Sequence, residues 1–418
     1  MQAPQNWTSL TGSRVRFDTP LRSEHERAAA AALPAAPVAG ADRPGAQRFG
    51  SIAGPRPGVE WIPYGPPADG GTPTCEVVAA HGPVELEYAA LRRGAGLLDG
   101  ANRGTLRIRG SDRRDFLGRM ITQDLRGLEP GKAAAGFWLN RKGRIEADLL
   151  VAETGAEILV DVDVHQASAT AATLAPFVVV EEVEIVDATS QFHRLVLHGP
   201  RAAAAIAQAT GRPFALERFA TAACEIAGEP VHAIRRDETG DPGFHLIVPT
   251  AGVLAVWRAL REVGEEPPRP VGWHAFNIAR IEAGTALMNI DFDTSCLPHE
   301  SGILRERVSF TKGCYLGQEI VARMESLGRP RRMLVGLRIE DDVLPESGGN
   351  VHAIVDGALG EPVGTITSSA PSPMLGSAPI AFAMLRASHV AEGTRVIVTG
   401  ENRRAEATVG PLRAWGRT

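Results

Sequence analysis

The stretch Lys312-Gly313-Cys314-Tyr315-Leu316-Gly317-Gln318-Glu319 sets an ammonium, a thiol, an amide and a carboxylate around two glycines. Lys312 is one of three lysines, with Lys132 and Lys142, among 44 basic residues, so an ammonium kept here suggests a compact point charge or a titratable amine. An ammonium beside Cys314 lowers the thiol's pKa, and a helix expected to begin at Gln318 adds partial positive charge. The stretch then reads as a reactive thiol with Lys312 as its electrostatic partner, while Gly313 and Gly317 let backbone approach a ligand. A glycine-bounded turn with Cys314 as a small apolar filler accounts for the same residues.

Asp148 is the second candidate, in the strand-like run Ala147-Asp148-Leu149-Leu150-Val151. In an apolar wall its carboxylate must find a donor or take up a proton, and such a group can exchange protons with a nitrogen heterocycle. A solvent-facing strand aspartate is the other reading. Arg280 and Glu282 can pair at a helix end. His165, His193 and His198 lie near strands and read as satisfied structural residues. No P-loop, Ser/His/Asp arrangement or dinucleotide fingerprint is present, which argues against a nicotinamide enzyme.

These groups must be carried by a chain of 418 residues, enough for two or three domains. A net charge of -5 gives no broad basic field for nucleic acid. Cys75, Cys224, Cys296 and Cys314 lie far apart with no metal-ligand spacing, as free thiols in a reducing compartment would. No apolar run approaches the ~20 residues needed to cross a bilayer, so a cytoplasmic location is expected.

Residues 1–71 are rich in Ala, Pro, Gly and Arg, with Gly54-Pro55-Arg56-Pro57-Gly58 as an example, and read as an irregular extension tied down near residues 59–64. A first α+β module is expected over 72–167. It has a helix at 86–91, a strand at 105–109, a helix capped by Asp112, a hairpin turning at Arg141-Lys142-Gly143-Arg144 and a strand at 158–164. A second α+β module, 168–328, has a helix to Phe177, strands at 178–186 and 194–198, an Ala-rich helix, strands at 231–234 and 244–248, and a helix at 253–263. Short alternating segments over 329–418 predict a small β-barrel.

The eight residues from Lys312 to Glu319 closely resemble the K-G-C-[FY]-x-G-Q-E signature of the YgfZ family, folate-binding proteins of iron-sulfur cluster assembly and repair. Phe116-Leu117-Gly118-Arg119-Met120-Ile121-Thr122-Gln123-Asp124, Leu197-His198-Gly199-Pro200, Arg280-Ile281-Glu282-Ala283-Gly284 and Ser368-Ser369-Ala370-Pro371-Ser372-Pro373-Met374-Leu375-Gly376 match in place. The wider superfamily includes the T-protein of the glycine cleavage system, a tetrahydrofolate-using aminomethyltransferase. The resemblance implies an α+β, T-protein-like fold of three domains around a central folate-sized hole. Gly143-Arg144-Ile145-Glu146-Ala147-Asp148 is similar to the G-G-x-x-D-D strand of the T-protein, with Asp148 at the catalytic acid and Ala147 replacing the first acid. Ala135, Glu238 and His245 stand where the T-protein has folate-contacting Tyr, Tyr and Glu.

The resemblance implies a bound tetrahydrofolate or related folate, with Cys314, Lys312 and Asp148 as reactive groups. Asp148, Arg280, Glu282, Gly313, Tyr315 and Gln318 would be folate contacts, and no metal ligands are assigned. Three functions stay open: support of iron-sulfur proteins or their assembly factors through Cys314, tetrahydrofolate-dependent aminomethyl transfer, and a non-catalytic folate-binding scaffold.

Overall fold

A computed structural model describes residues 17–31, 59–67 and 74–413. In chain order they form α1 (Arg22–Ala31), β1 (Glu60–Pro63), β2 (Glu76–Ala80), α2 (Val84–Arg93), β3 (Gly96–Asp99), β4 (Arg103–Arg109), α3 (Arg113–Met120), β5 (Ala133–Leu139), β6 (Ile145–Glu153), β7 (Ile158–Asp163), α4 (Ala167–Leu174), β8 (Glu184–Asp187), β9 (Phe192–His198) and α5 (Ala202–Thr210). Then come β10 (Thr221–Ile226), β11 (Glu229–Arg235), β12 (Gly243–Pro249), α6 (Val253–Glu262), β13 (Arg269–Pro270), α7 (Trp273–Ala283), α8 (Leu304–Arg307) and α9 (Gln318–Leu327). The strands β14 (Arg332–Ile339), β15 (Asn350–Val355), β16 (Ala358–Ser372), β17 (Ala378–Arg386), β18 (Arg395–Gly400) and β19 (Arg403–Gly410) complete the described chain.

Two sheets face each other, and strand alternation decides what lies between them. The antiparallel sheet β5-β6-β7-β4-β8 turns Ala147, Leu149, Val151 and Val160 outward under α3 and α4, with Phe116 and Leu174. Its inner face presents Ala133, Ala135, Leu150, Ala152 and Leu159 to Ile234 and Ile247 of the sheet β10-β11-β12-β9-β3-β13. That second sheet turns Leu195, Leu197, Phe244, Leu246 and Val248 to its own helices α5 and α6. Helices therefore cover the outside of both sheets, and the space between them takes whatever the inner positions carry. The C-terminal strands close as β14-β17-β16-β15-β18-β19, a barrel filled by Leu337, Val351, Val363, Leu385, Val396 and Val409. Closure leaves that barrel no edge strand.

Several expectations are corrected. The extension is not wholly irregular: α1 forms, Leu21 joins the core under the second sheet, and β1 pairs with β2. Residues 54–58 lie outside the described residues. Only β8 forms within the strand expected over 178–186, because Val179 and Val180 are 80% and 90% exposed and have no apolar face to cover. Asp112 precedes α3 without capping it; its carboxylate accepts instead from the Glu182 amide. Residues 96–99, for which no element was expected, form β3 and pair with β9 in the second sheet. No described helix is long and apolar enough to cross a membrane.

Candidate functional site

At one end of the space between the sheets, alternation replaces apolar inner residues by charged ones. On β6 the inner series is Asp148, Leu150, Ala152, and on β7 it is Leu159, Asp161, Asp163. On β9 it is Arg194, Val196, His198, and on β12 it is His245 and Ile247, with Arg236 following β11. All five acids, bases and imidazoles among Asp148, Asp161, Arg194, His198 and His245 are buried.

Asp161, His245, Glu238, Arg236 and Asp148 form one continuous chain of contacts between Arg103 and Arg307. Arg103 Nε donates to Asp161 Oδ1 at 2.7 Å, and Asp161 Oδ2 meets His245 Nδ1 at 2.8 Å. His245 Nε2 lies 3.0 Å from Glu238 Oε2, whose other oxygen pairs with Arg236 Nε at 3.0 Å. Arg236 Nη2 reaches to 3.9 Å from Asp148 Oδ2, and Arg307 grips Asp148 from the other side, Nε to Oδ1 at 2.6 Å and Nη2 to Oδ2 at 3.3 Å. Arg307 also bonds Glu306. The Asp148 carboxylate thus finds its donors in Arg307, with the Arg236 guanidinium as a second, more distant charge.

Burial would raise Asp161 and Glu238, but Arg103 and Arg194 hold the first, and Arg236 and His245 the second, well below the usual carboxylate range. His198 differs from its neighbours. Burial pushes it down to about 4, and neither ring nitrogen has a hydrogen-bond partner, so it is not the satisfied structural histidine expected.

The chain of charges borders a cavity lined by Asp148, Arg236, Glu238 and His245 on the polar side and by Leu98, Val196, Trp273, Phe276 and Met288 on the apolar side. Tyr64 enters from the N-terminal segment, its hydroxyl donating to Asp163 at 2.5 Å. The free interior is about 60 Å³. Since one water needs roughly 10–15 Å³, this conformation holds only a handful of waters.

The stretch around Cys314 lies elsewhere. Cys314 is exposed and does not line the cavity that Asp148 borders, so the joint thiol and carboxylate site does not form. Lys312 is not the thiol's partner either. Its ammonium donates to the carbonyls of Gly118, Ile121 and Gln123 at 2.6, 2.6 and 2.8 Å, which uses all three of its hydrogens. Burial draws this ammonium down to about 8. The lysine clamps its own segment onto the C-terminal end of α3, joining two stretches that the sequence presents separately.

Gly317 does approach backbone closely, but its partner is the β5–β6 turn rather than a ligand. At φ +80° a Cβ there would meet the Asn140 carbonyl at 2.7 Å. Gly313 has open space around it. Tyr315 is buried in the core shared by α7 and the barrel, and Gln318 starts α9 half-buried.

Arg280 and Glu282 do not pair with each other, and neither reaches the central cavity. Arg280 is wholly buried, bonded to Asp291 Oδ2 at 2.7 Å, Asn277 Oδ1 at 2.9 Å, Ser368 Oγ at 2.6 Å and the Thr285 carbonyl at 3.0 Å. It fastens α7 to the barrel. Glu282 accepts from Tyr88, Arg92 and Ser372 and lines a separate cleft of about 910 Å³ with Arg93 and Arg413.

Sequence reasoning missed Asp161, Asp163, Arg194, Arg236 and Arg307. The signal was present in part: polar residues recurring at every second position of otherwise apolar strands imply a polar space on that face.

Comparison with known proteins matches residues 64–312 to the GCVT N-terminal domain and residues 332–413 to the glycine cleavage T-protein C-terminal barrel domain. An aminomethyltransferase of Streptomyces coelicolor is 30% identical over 320 residues, covering 75% of this chain and 84% of its own. One from Geobacillus kaustophilus is 29% identical over 338 residues, covering 80% and 91%. The solved glycine cleavage system aminomethyltransferase T from Bartonella henselae superposes with a TM-score of 0.73 at 22% identity, covering 86% of this chain and 95% of that one, a likeness of fold.

Proposed function

The chain belongs to the glycine cleavage T-protein family, and on that premise we propose that it is a tetrahydrofolate-dependent aminomethyltransferase or close one-carbon transferase. The observation that carries this reading is the Asp148 carboxylate, fixed on the cavity wall between Arg307 and Arg236. A carboxylate held by one guanidinium and flanked by a second accepts a hydrogen bond from a ring N–H without swinging away, which orients the nitrogen that receives the carbon.

The lining suits a flat heteroaromatic ring. Trp273, Phe276, Leu98 and Met288 offer apolar faces, while Asp148, Arg236 and Glu238 offer polar groups for its edge. Folate, when bound, would supply two ring and side-arm nitrogens to share the donor's methylene carbon, their hydrogens leaving on the released ammonia and on the donor's carrier group. The chain's own contribution is to hold the acceptor nitrogen at Asp148 and to enclose the reacting atoms between the sheets.

The test is methylene-tetrahydrofolate and ammonia formation from an aminomethyl donor by the parent and by Asp148→Asn. Turnover lost in the variant with folate binding kept is expected. Absence of turnover in the folate-loaded parent, or equal rates in both, overturns the reading.

A second reading, YgfZ-like support of iron-sulfur proteins, is favoured by one observation: Cys314 is the exposed thiol among the four cysteines and lies just before α9. A lone thiol cannot hold a cluster, which needs about four protein ligands, so any cluster would be shared with a partner. Cys314→Ala that restores cluster-enzyme activity as well as the parent in a deletion strain removes this reading.

A further inference from the structure

We propose that His198, Glu238 and His245 form a binding site for a divalent first-row transition ion, set in the wall of the central cavity. The three side chains are buried, and their ligand atoms lie within 4.8 Å of one another. Glu238 Oε2 is the pivot, 3.0 Å from His245 Nε2 and 3.8 Å from His198 Nε2.

Geometry points to a cation at this centre. The His245 ring stands between two carboxylates, with Nδ1 2.8 Å from Asp161 Oδ2 and Nε2 3.0 Å from Glu238 Oε2. His198 supplies the independent observation. It is wholly buried, both its ring nitrogens lack partners, and Nε2 is the nitrogen nearer Glu238. An unpartnered imidazole in a buried site costs free energy, and ligation of an ion removes that cost.

The surroundings match those of ligating histidines. A histidine that binds a metal through one nitrogen commonly donates the other to a carboxylate, as His245 does to Asp161. Arg236 occupies Glu238 Oε1 and leaves Oε2 for the ion. With metal-to-nitrogen distances of about 2.0–2.1 Å, tetrahedral ligand atoms stand about 3.4 Å apart, so the His198 ring needs only a small inward shift. Two imidazoles with one carboxylate favour zinc, cobalt or iron over calcium or magnesium. Glu238 and His245 line the cavity, so the remaining coordination positions open toward whatever occupies it.

The experiment uses the full chain, stripped of metal by chelator and titrated with Co²⁺ and then Zn²⁺. Visible d–d absorption saturating at one equivalent, displaced by Zn²⁺, is expected. X-ray absorption of the Zn²⁺ form should show two imidazoles and no sulfur. Glu238→Gln and His198→Gln should each weaken binding by at least about tenfold, while Cys314→Ser binds as the parent does. If either variant fails to fold, the absorption spectrum of the parent decides alone. No saturable binding, sulfur in the coordination shell, or unchanged affinity in the folded variants overturns the proposal. None of these outcomes depends on folate or turnover.

Discussion

Replacing Lys312 by methionine separates a structural clamp from a thiol activator. Methionine keeps the apolar stem and removes the ammonium, leaving the carbonyls of Gly118, Ile121 and Gln123 without this donor. The Gly118 carbonyl lies in the last turn of α3, where carbonyls lack a helical donor, so it has most to lose. A hydrogen bond to a charged group contributes about 1.5–3 kcal/mol when well buried; with the amine half-buried and water able to replace part of each bond, about 1 kcal/mol apiece is reasonable. The expected loss is about 3 kcal/mol, or roughly 6–12 °C in melting temperature for a unit of this size. Thermal unfolding followed by circular dichroism reads that loss at matched scan rates. Alkylation at Cys314, followed by mass spectrometry of its peptide, reads the thiol. The clamp predicts a lower melting temperature with a Cys314 rate within about twofold of the parent. A parent-like melting curve together with a rate about tenfold slower would refute it and restore Lys312 as the thiol's partner.

Arg280→Met leaves Asp291 buried without its cation and should cost about 3–5 kcal/mol in urea unfolding, while folate affinity of the folded protein, read by Trp fluorescence, stays the same. A parent-like unfolding midpoint with weakened folate binding would instead return Arg280 to the ligand. His81 gives a pH dependence. Burial, aided by the His25 charge, lowers it to about 3, and its buried Nε2 has no partner. Between that value and about 6.5 the unfolded chain binds the extra proton, so stability is full above about 6.5 and falls as pH drops, by up to about 2 kcal/mol at pH 5. Urea unfolding at pH 7 and pH 5 should show a smaller loss in His81→Phe; an equal loss in both proteins removes His81 as the cause.

The fold was largely legible because its signals are local. The hairpin β5–β6 follows from alternation on both sides of Arg141-Lys142-Gly143-Arg144, and the barrel from short alternating segments between Gly- and Pro-rich turns. The site was legible at Asp148 and, through the family resemblance, at the positions of Glu238 and His245, but not in how these meet. Glu238 and His245 meet His198 because β9 and β12 run antiparallel with Gly243 opposite His198 and His245 opposite Val196, a register that spacing along the chain does not carry. Lys312 was misread for the same reason: its partners are carbonyls almost two hundred residues upstream. The α1 helix was missed because its Ala-rich composition is what an unstructured tail also uses; what orders it is tertiary, Leu21 in the core and His25 on Asp99.

The N-terminal segment therefore has a consequence for anyone trimming the protein. Thr19 and His25 complete the donors on Asp99, and Tyr64 closes part of the cavity wall through Asp163. A chain shortened to begin at residue 72 would keep nearly all of the stretches that match its family, residues 64–312 and 332–413, yet would uncover the Asp99 carboxylate and open one side of the central cavity to bulk water. The sheets and the barrel would keep their own cores while the cavity lost its seal, so the N-terminal segment acts as a stopper for the space between the sheets.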